Sequence, residues 1–291
     1  KNNLVKKTIL STNINTLNFV KYFNLNLASL ANNHIYDNLD EGINKTIEFL
    51  SKNKINFFGI SANNNDDIYY YKYDIILNNN PVCILTYLTP DTNPNIPSNT
   101  NIKVSLYKKE IIINNIKYFK NKYKYIILYI HWGGRVEGAM LPDKYQFHDA
   151  HAFIDAGADM IIGHHSHTLQ PFEIYKNKYI FYSIGNFCSD SIYKKGIRHK
   201  RRTQGIMIKV SIKNDNLIPE IIPIRQINMS IVIDYGILKK YYRRSNIFKF
   251  IMKIPFLWYL YFFKIKFLEP IYFYFFENNK GIFKQLSSIN I

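Results

Sequence analysis

Asp159-Met160-Ile161-Ile162-Gly163-His164-His165-Ser166-His167 decides how this 291-residue chain is read. Met160-Ile161-Ile162 has the character of a buried strand that Gly163 ends, and three histidines follow within four residues. In an extended or turning backbone, residues two apart can point to the same side, so His165 and His167 can face one ion together. Neutral imidazole is the commonest protein metal ligand. Taken alone, the pair also reads as two satisfied surface histidines; it does not stand alone.

Three other segments repeat the arrangement. Leu25 to Leu30 runs into Ala31-Asn32-Asn33-His34, Tyr125 to Ile130 into His131-Trp132-Gly133-Gly134, and Tyr179 to Ile184 into Gly185-Asn186-Phe187. Each is an apolar, β-prone run of about six residues ending in Asn, His or Gly. Helical patterns lie between them. The spacing predicts helices over 15–23, 41–52, 106–122 and 143–156, with Asp40 capping the second and Gly157 ending the fourth. Further strands are expected near 55–58, 82–88, 205–212 and 217–224, and loops where Asn and Pro cluster, at 61–67, 78–80 and 91–101. Alternating strands and helices build a sheet with helices packed on it. Ligands then gather beyond the carboxyl ends of the strands. The Asn and His residues at four strand ends are therefore expected to converge on one crevice, with a mixed His/Asn metal site as its content. His148 and His151, on the 143–156 helix, can approach it, although such histidines more often pack or face solvent.

Ala31-Asn32-Asn33-His34, His131-Trp132-Gly133, Gly157-Ala158-Asp159, Gly163-His164-His165-Ser166-His167, Gln170-Pro171 and Tyr182-Ser183-Ile184-Gly185-Asn186-Phe187 resemble the signature blocks of the capsule synthesis protein CapA family. That family is associated with capsule or poly-γ-glutamate formation in bacteria, and its domain resembles the calcineurin-like metallophosphoesterases. The likeness covers about residues 15–225, with six blocks in order. It implies an α/β fold, a metallophosphoesterase-like β-sheet core flanked by helices. It also implies Asn33, His131, His165 and His167 as ligands of a divalent transition metal (Mn, Fe or Zn). His34 would act on the leaving group or transition state, with Asp37 orienting it. The family pattern opens with a strand ending in Gly-Asp, then an Asn-Leu-Glu block; neither is found here, and the chain begins at Lys1. The resemblance thus implies an N-terminally truncated sequence, or else a degenerate member. A dinuclear site would rest on carboxylates supplied by the full-length protein.

The formal net charge of +17 is local in origin. Lys194 to Arg202 holds six basic residues and no acid; from Lys239 onward ten basic residues face only Glu269 and Glu277. The first run places Arg198, Arg201 and Arg202 after a site-bearing strand. With Asn186 they are expected to hold an anionic polymer or a phosphate-bearing substrate, a solvated loop being the plain alternative. No nucleic-acid motif accompanies the run and aromatics are not interleaved with it, so nucleic acid is not the expected partner.

Residues 236–291 are expected to form a helical, basic and aromatic tail after a domain over 1–235. Residues 247–276 carry 14 aromatics, with lysines between them. The longest uncharged run, Ile254 to Phe263, has ten residues, whereas a spanning helix needs roughly 18–20. A peripheral helix on the membrane surface is expected instead, packing back on the domain being the rival. These readings place the protein at the bacterial cell envelope, on an unspecified side of the membrane. They leave two functions: a metal-dependent hydrolase of an ester or polymer, or a non-catalytic polyanion-binding part of a capsule synthesis or export complex. Cys83 sits in an apolar run and reads as a buried hydrophobe. With only Cys188 besides, no zinc ribbon can form, and a disulfide between the two is not the expected state.

Overall fold

The computed structural model describes residues 9–12, 20, 23–61, 70–189, 201–228 and 230–268. The expected helix at 15–23 falls almost wholly outside these, as does Arg198. The first strand, Leu27–Ser29 (β1), pairs in parallel with Asn56–Phe58 (β2), and helix Leu39–Lys52 (α1) joins them. Asp40 does not cap α1. It lies in the first turn, where its carboxylate accepts the Thr100 hydroxyl at 2.6 Å, and Asn38 stands at the N-cap without a side-chain capping bond.

The central sheet has six strands: Lys72–Leu77 (β3), Asn80–Leu88 (β4), Tyr125–His131 (β5), Met160–His164 (β6), Phe172–Tyr175 (β7) and Lys178–Phe181 (β8), in the order β3-β4-β5-β6-β8-β7. β4, β5, β6 and β8 run parallel; the edge strands β3 and β7 are antiparallel to their neighbours. The parallel strands are covered on both faces, which is why β5 reads as a nearly unbroken apolar run. Asn78 and Asn79 take positive φ (48° and 60°) in the tight β3–β4 turn, a conformation that Asn tolerates better than most residues.

Helices Lys109–Lys120 (α2) and Lys144–Ala156 (α3) cover one face, through Ile112, Ile116, Phe119, Ala150 and Phe153 against Leu85, Leu128 and Ile161. α3 begins with a reciprocal cap between Asp143 and Gln146 and ends, as expected, at Gly157 in the left-handed region (φ 118°). A three-stranded antiparallel sheet covers the other face: Gln204–Lys213 (β9), Asn216–Ile227 (β10) and Ser230–Ile233 (β11). Ile206 and Leu217 from it pack on Val82, Tyr125, Met160 and Phe181. Cys83 is buried and Cys188 exposed, and neither is in a disulfide.

The tail forms helices Gly236–Lys253 (α4) and Pro255–Phe263 (α5) and a π turn over Lys264–Leu268. One side docks. Phe248 is buried against Tyr182 and Phe147, and the Ser245 hydroxyl accepts the Phe172 N–H. Trp258 Nε1 donates to the Pro142 carbonyl, and the Tyr261 hydroxyl accepts the N–H groups of Met140 and Leu141. The other side leaves Phe250, Phe256, Tyr259, Leu260, Phe263 and Phe267 exposed. The tail over 236–268 thus packs back on the domain and still presents an aromatic face, while 269–291 lie outside the described residues. No helix among the described residues is long and apolar enough to cross a membrane.

Candidate functional site

Parallel pairing sets the centre of the site. In the ladder between β5 and β6, His131 stands directly opposite His164. Their Nδ1 atoms lie 2.8 Å apart. The His131 ring lies 4.6 Å, centroid to centroid, from both His164 and His165, and His165 lies 6.1 Å from His167. Asn33 arrives from the β1 side and places its Oδ1 3.0 Å from His131 Nε2. Asn33, His131, His165 and His167 therefore come together, by a route that differs from the expected one. β1 belongs to a separate two-stranded sheet, so Asn33 and His34 reach the carboxyl edge of the central sheet from outside it.

The histidine turn needs its own sequence. Gly163 leaves no room for a side chain: a Cβ there would sit 2.2 Å from the Tyr182 carbonyl oxygen and 2.3 Å from Trp132 Nε1, the two ends of a 2.9 Å hydrogen bond. His165 (φ 103°) and His167 (φ 58°) both take positive φ, which is uncommon outside glycine and gathers at functional sites. A strap over 137–142 holds this turn. Gly138 N–H donates to the Ser166 carbonyl (2.9 Å), the Thr168 hydroxyl to the Ala139 carbonyl (2.5 Å), and Gln170 Nε2 to the carbonyls of Ala139 and Leu141.

The electrostatics follow from burial. Burial, reinforced by the neighbouring histidines, holds His131 well below the usual histidine range. Burial pushes His164 and His165 down to about 3, Glu137 opposing the shift at His165. Burial lowers His167 too, against the Asn186 hydrogen bond and Glu137. All four are neutral imidazoles at neutral pH, the form that ligates metals. The His165 Nδ1 atom is buried without a hydrogen-bond partner. Such a lone pair is costly unless something fills it. This donor set fits a transition ion that favours imidazole. Among the described residues, however, no group of three or more His, Cys, Asp and Glu has metal-holding geometry. His131 Nε2 is turned to Asn33 Oδ1, and His167 Nδ1 donates to Asn186 Oδ1 at 3.0 Å.

His34 is the more exposed histidine at the rim, 27% accessible by its side chain, and its Nδ1 pairs with buried Asp37 at 2.6 Å. Asp37 also accepts the Leu10 N–H at 2.7 Å. Asn186 Nδ2 donates to the Arg202 carbonyl, and the Arg202 guanidinium meets Glu137 at 2.9 Å beside the strap. Arg201 acts on Arg244 of α4, close to the histidine turn. Arg244 of α4 is lowered chiefly by burial, and Arg201 adds to that effect; Arg244 in turn donates to the Leu169 carbonyl. His151 is outside the crevice. It pairs with Glu173 at 2.8 Å and stacks on Tyr175, a packing role. The histidine run alone did not single out His164 or Glu137. The β5–β6 register marks the first, and nothing in local pattern marks the second.

A solved structure shares this architecture. A putative 5'-nucleotidase from Staphylococcus aureus superposes with a TM-score of 0.51 at 15% identity, covering 80% of this chain and 44% of that one, which shows the calcineurin-like phosphoesterase fold. Among curated proteins, the PGA biosynthesis protein CapA of Bacillus subtilis is 31% identical over 187 residues, 64% of this chain and 48% of the relative. The capsule biosynthesis protein CapA of Bacillus anthracis is 30% identical over 191 residues, 64% of this chain and 45% of the relative. The chain thus spans about half the length of these relatives. The model of the bacterial capsule synthesis protein PGA_cap family matches residues 1–191, and the chain belongs to that family.

Proposed function

We propose that this protein serves bacterial capsule or poly-γ-glutamate biosynthesis through a divalent-metal crevice that acts on an ester or polymer substrate. One observation carries the reading: Asn33, His131, His165 and His167, drawn from three separate segments, lie side by side, and His165 Nδ1 is buried there without a hydrogen-bond partner. These four residues would hold the ion. When bound, a Mn, Fe or Zn ion supplies Lewis-acid polarisation of a phosphoryl or ester oxygen and makes bound water acidic. The chain's own groups do the rest. Asp37 fixes the orientation of His34, which stands at the accessible rim to give a proton or hydrogen bond to a departing oxygen. Arg202 and Asn186 flank His167 and suit an anionic group, Arg202 leaving Glu137 to do so. Arg198 and Arg201 extend this reading along the chain.

The strap over 137–142 joins the crevice to α5. The exposed rings of α5 with Lys264 and Lys266 support attachment of the protein to an anionic membrane surface, at the cell envelope where capsule polymer is made. In this reading residues 1–235 form the family-type domain and 236–291 its basic, aromatic cover.

A second reading, a polyanion-binding component without catalysis, is favoured by one observation: Glu137, the carboxylate that acts on both His165 and His167, is engaged by Arg202. Metal content after dialysis against each ion separates the two, combined with turnover of an aryl phosphodiester and retention on immobilised poly-γ-glutamate. The first reading expects ion uptake by the parent chain, its loss in His165→Ala/His167→Ala, and turnover that His34→Ala removes. Polymer retention with neither uptake nor turnover establishes the second reading and overturns the first.

A further inference from the structure

We propose that Glu137, carried by the strap beside the histidine turn, is an exchangeable metal ligand: its carboxylate leaves Arg202 to join His165 and His167 on a divalent ion, and the freed guanidinium becomes available to an anionic substrate group. The inference rests on the metal-binding reading above and adds to it a ligand from outside the strand ends.

A closed circuit of hydrogen bonds places the residue. His167 Nδ1 donates to Asn186 Oδ1 at 3.0 Å, Asn186 Nδ2 to the Arg202 carbonyl at 3.1 Å, and the Arg202 guanidinium to Glu137 at 2.9 Å. The next residue closes the ring: Gly138 N–H donates at 2.9 Å to the carbonyl of Ser166, which lies between the two histidines. Gly138 takes φ 79°, and a Cβ there would stand 3.8 Å from Arg202 Nη2. The backbone beside Glu137 is thus pinned to the histidine turn, and only the side chain has to turn for the exchange. In agreement, the charge of Glu137 acts on both His165 and His167.

Charge gives the reason for the exchange. A ligating imidazole is neutral, and so is the amide of Asn33. An ion held by Asn33, His131, His165 and His167 alone would keep both its positive charges in a buried place, which is costly. A carboxylate cancels one of them, and carboxylate oxygen is an ordinary companion of imidazole around these metals. Asp37 is poorly placed to help: it is 4% exposed and already holds His34 and the Leu10 N–H. Glu137 is 45% exposed by its side chain and Arg202 25%. An ion pair this open to water is weakly held, so giving it up for an ion costs little. Arg202 stays anchored afterwards through its own carbonyl on Asn186, beside His167, where a phosphoryl or carboxylate group can meet its guanidinium.

The parent chain, Glu137→Gln and Arg202→Gln test this together. Both variants break the same ion pair, so any general effect of that loss is common to them. Zinc affinity, read by competition with a chromophoric chelator, is expected to fall by at least about 10-fold in Glu137→Gln. In Arg202→Gln, where the carboxylate is already free, it should equal or exceed that of the parent. Cobalt(II) should give a different ligand-field spectrum in Glu137→Gln than in the parent, because the carboxylate has left the coordination sphere. Inorganic phosphate should bind zinc-loaded Arg202→Gln about 10–100-fold more weakly than the zinc-loaded parent. Equal zinc affinity in the parent and Glu137→Gln, or the same loss in both variants, overturns the proposal. So does a weaker affinity with an unchanged cobalt spectrum, which would mean that Glu137 acts through space alone. Unchanged phosphate binding in Arg202→Gln refutes the release of the guanidinium. A parent chain that takes up no ion sinks the metal-binding reading and this proposal with it, whereas uptake that is indifferent to Glu137→Gln sinks the proposal alone.

Discussion

Replacing Phe248 with Ala tests whether the tail is part of the fold or an appendage. Phe248 sits on α4, fully buried, with its ring edge-on to Tyr182 at 5.2 Å and to Phe147 at 5.9 Å. Tyr182 in turn stacks on Trp132, whose indole N–H holds the strand end that carries the site. Truncating a buried Phe to Ala costs about 3–5 kcal/mol, from lost transfer free energy and the cavity left behind. For a chain of this size each kcal/mol lowers the unfolding midpoint by about 2 °C, so a drop of about 6–10 °C is expected. Phe250, two residues on, is the internal control. It is 58% exposed, and its replacement by Ala should stay within about 0.5 kcal/mol of the parent. Thermal unfolding followed in the near ultraviolet, where Trp132 and Trp258 report packing, measures both. If Phe248→Ala melts with the parent, or if the two replacements cost the same, α4 does not belong to the core and the docking argument fails.

Gly163→Ala drives a methyl group between the Tyr182 carbonyl and Trp132 Nε1, and should lower the urea unfolding free energy by about 1–3 kcal/mol from overpacking alone. Stability should fall with acid: His164 and His165 stay neutral when folded down to about pH 3 but take protons near 6.5 when unfolded. The unfolded state therefore binds more protons between those values, and the two together remove roughly 3 kcal/mol per pH unit there, absent above pH 7. A urea midpoint that holds constant from pH 7 to 5 would contradict the burial of these rings. Asp37→Asn keeps an acceptor for Leu10 but weakens the hold on His34, so ester turnover should drop by about 10–100-fold with little change in melting. Flotation with anionic vesicles should fall in Phe256→Ser/Phe263→Ser/Phe267→Ser, which touches exposed rings only. Ending the chain at Asp234 is the poorer test, since it also strips Phe248, Trp258 and Ile265 from the interior.

The parallel strands were legible because both their faces are covered, and two-sided burial writes itself as an unbroken apolar run in β5 and in Met160-Ile161-Ile162. The edge strands were not. β3 is Lys72-Tyr-Asp-Ile-Ile-Leu beside an Asn-rich turn, and β7 is four residues long with Glu173 in it; an edge strand carries polar residues and half the apolar signal. Asp40 has the chemistry of a cap, but Thr100, sixty residues away, claims its carboxylate. The tail's double character was beyond pattern as well. Its aromatics are spread around α4 and α5, and which of them go inward is decided by Pro142, Met140 and Tyr182, residues far away in sequence.

The site shows the same division more sharply. The residue types at strand ends were enough to bring His131, His165 and His167 to one edge, because strand register alone does that. Asn33 needed more. Its strand β1 shares no ladder with the central sheet; the two sheets are joined by backbone bridges from Ile60 to Val104 and from Leu88 to Leu106, and by side chains: Ser29 and Thr86 hydroxyls 2.9 Å apart, Leu88 packed into the cluster of Leu30 and Ala31, and Asn33 on His131. One contact of the candidate site is therefore also a contact that joins the two sheets. A side chain recruited to bind something at that seam must give up part of what holds the seam closed. The His131–Asn33 bond is the place where binding and folding draw on the same atoms.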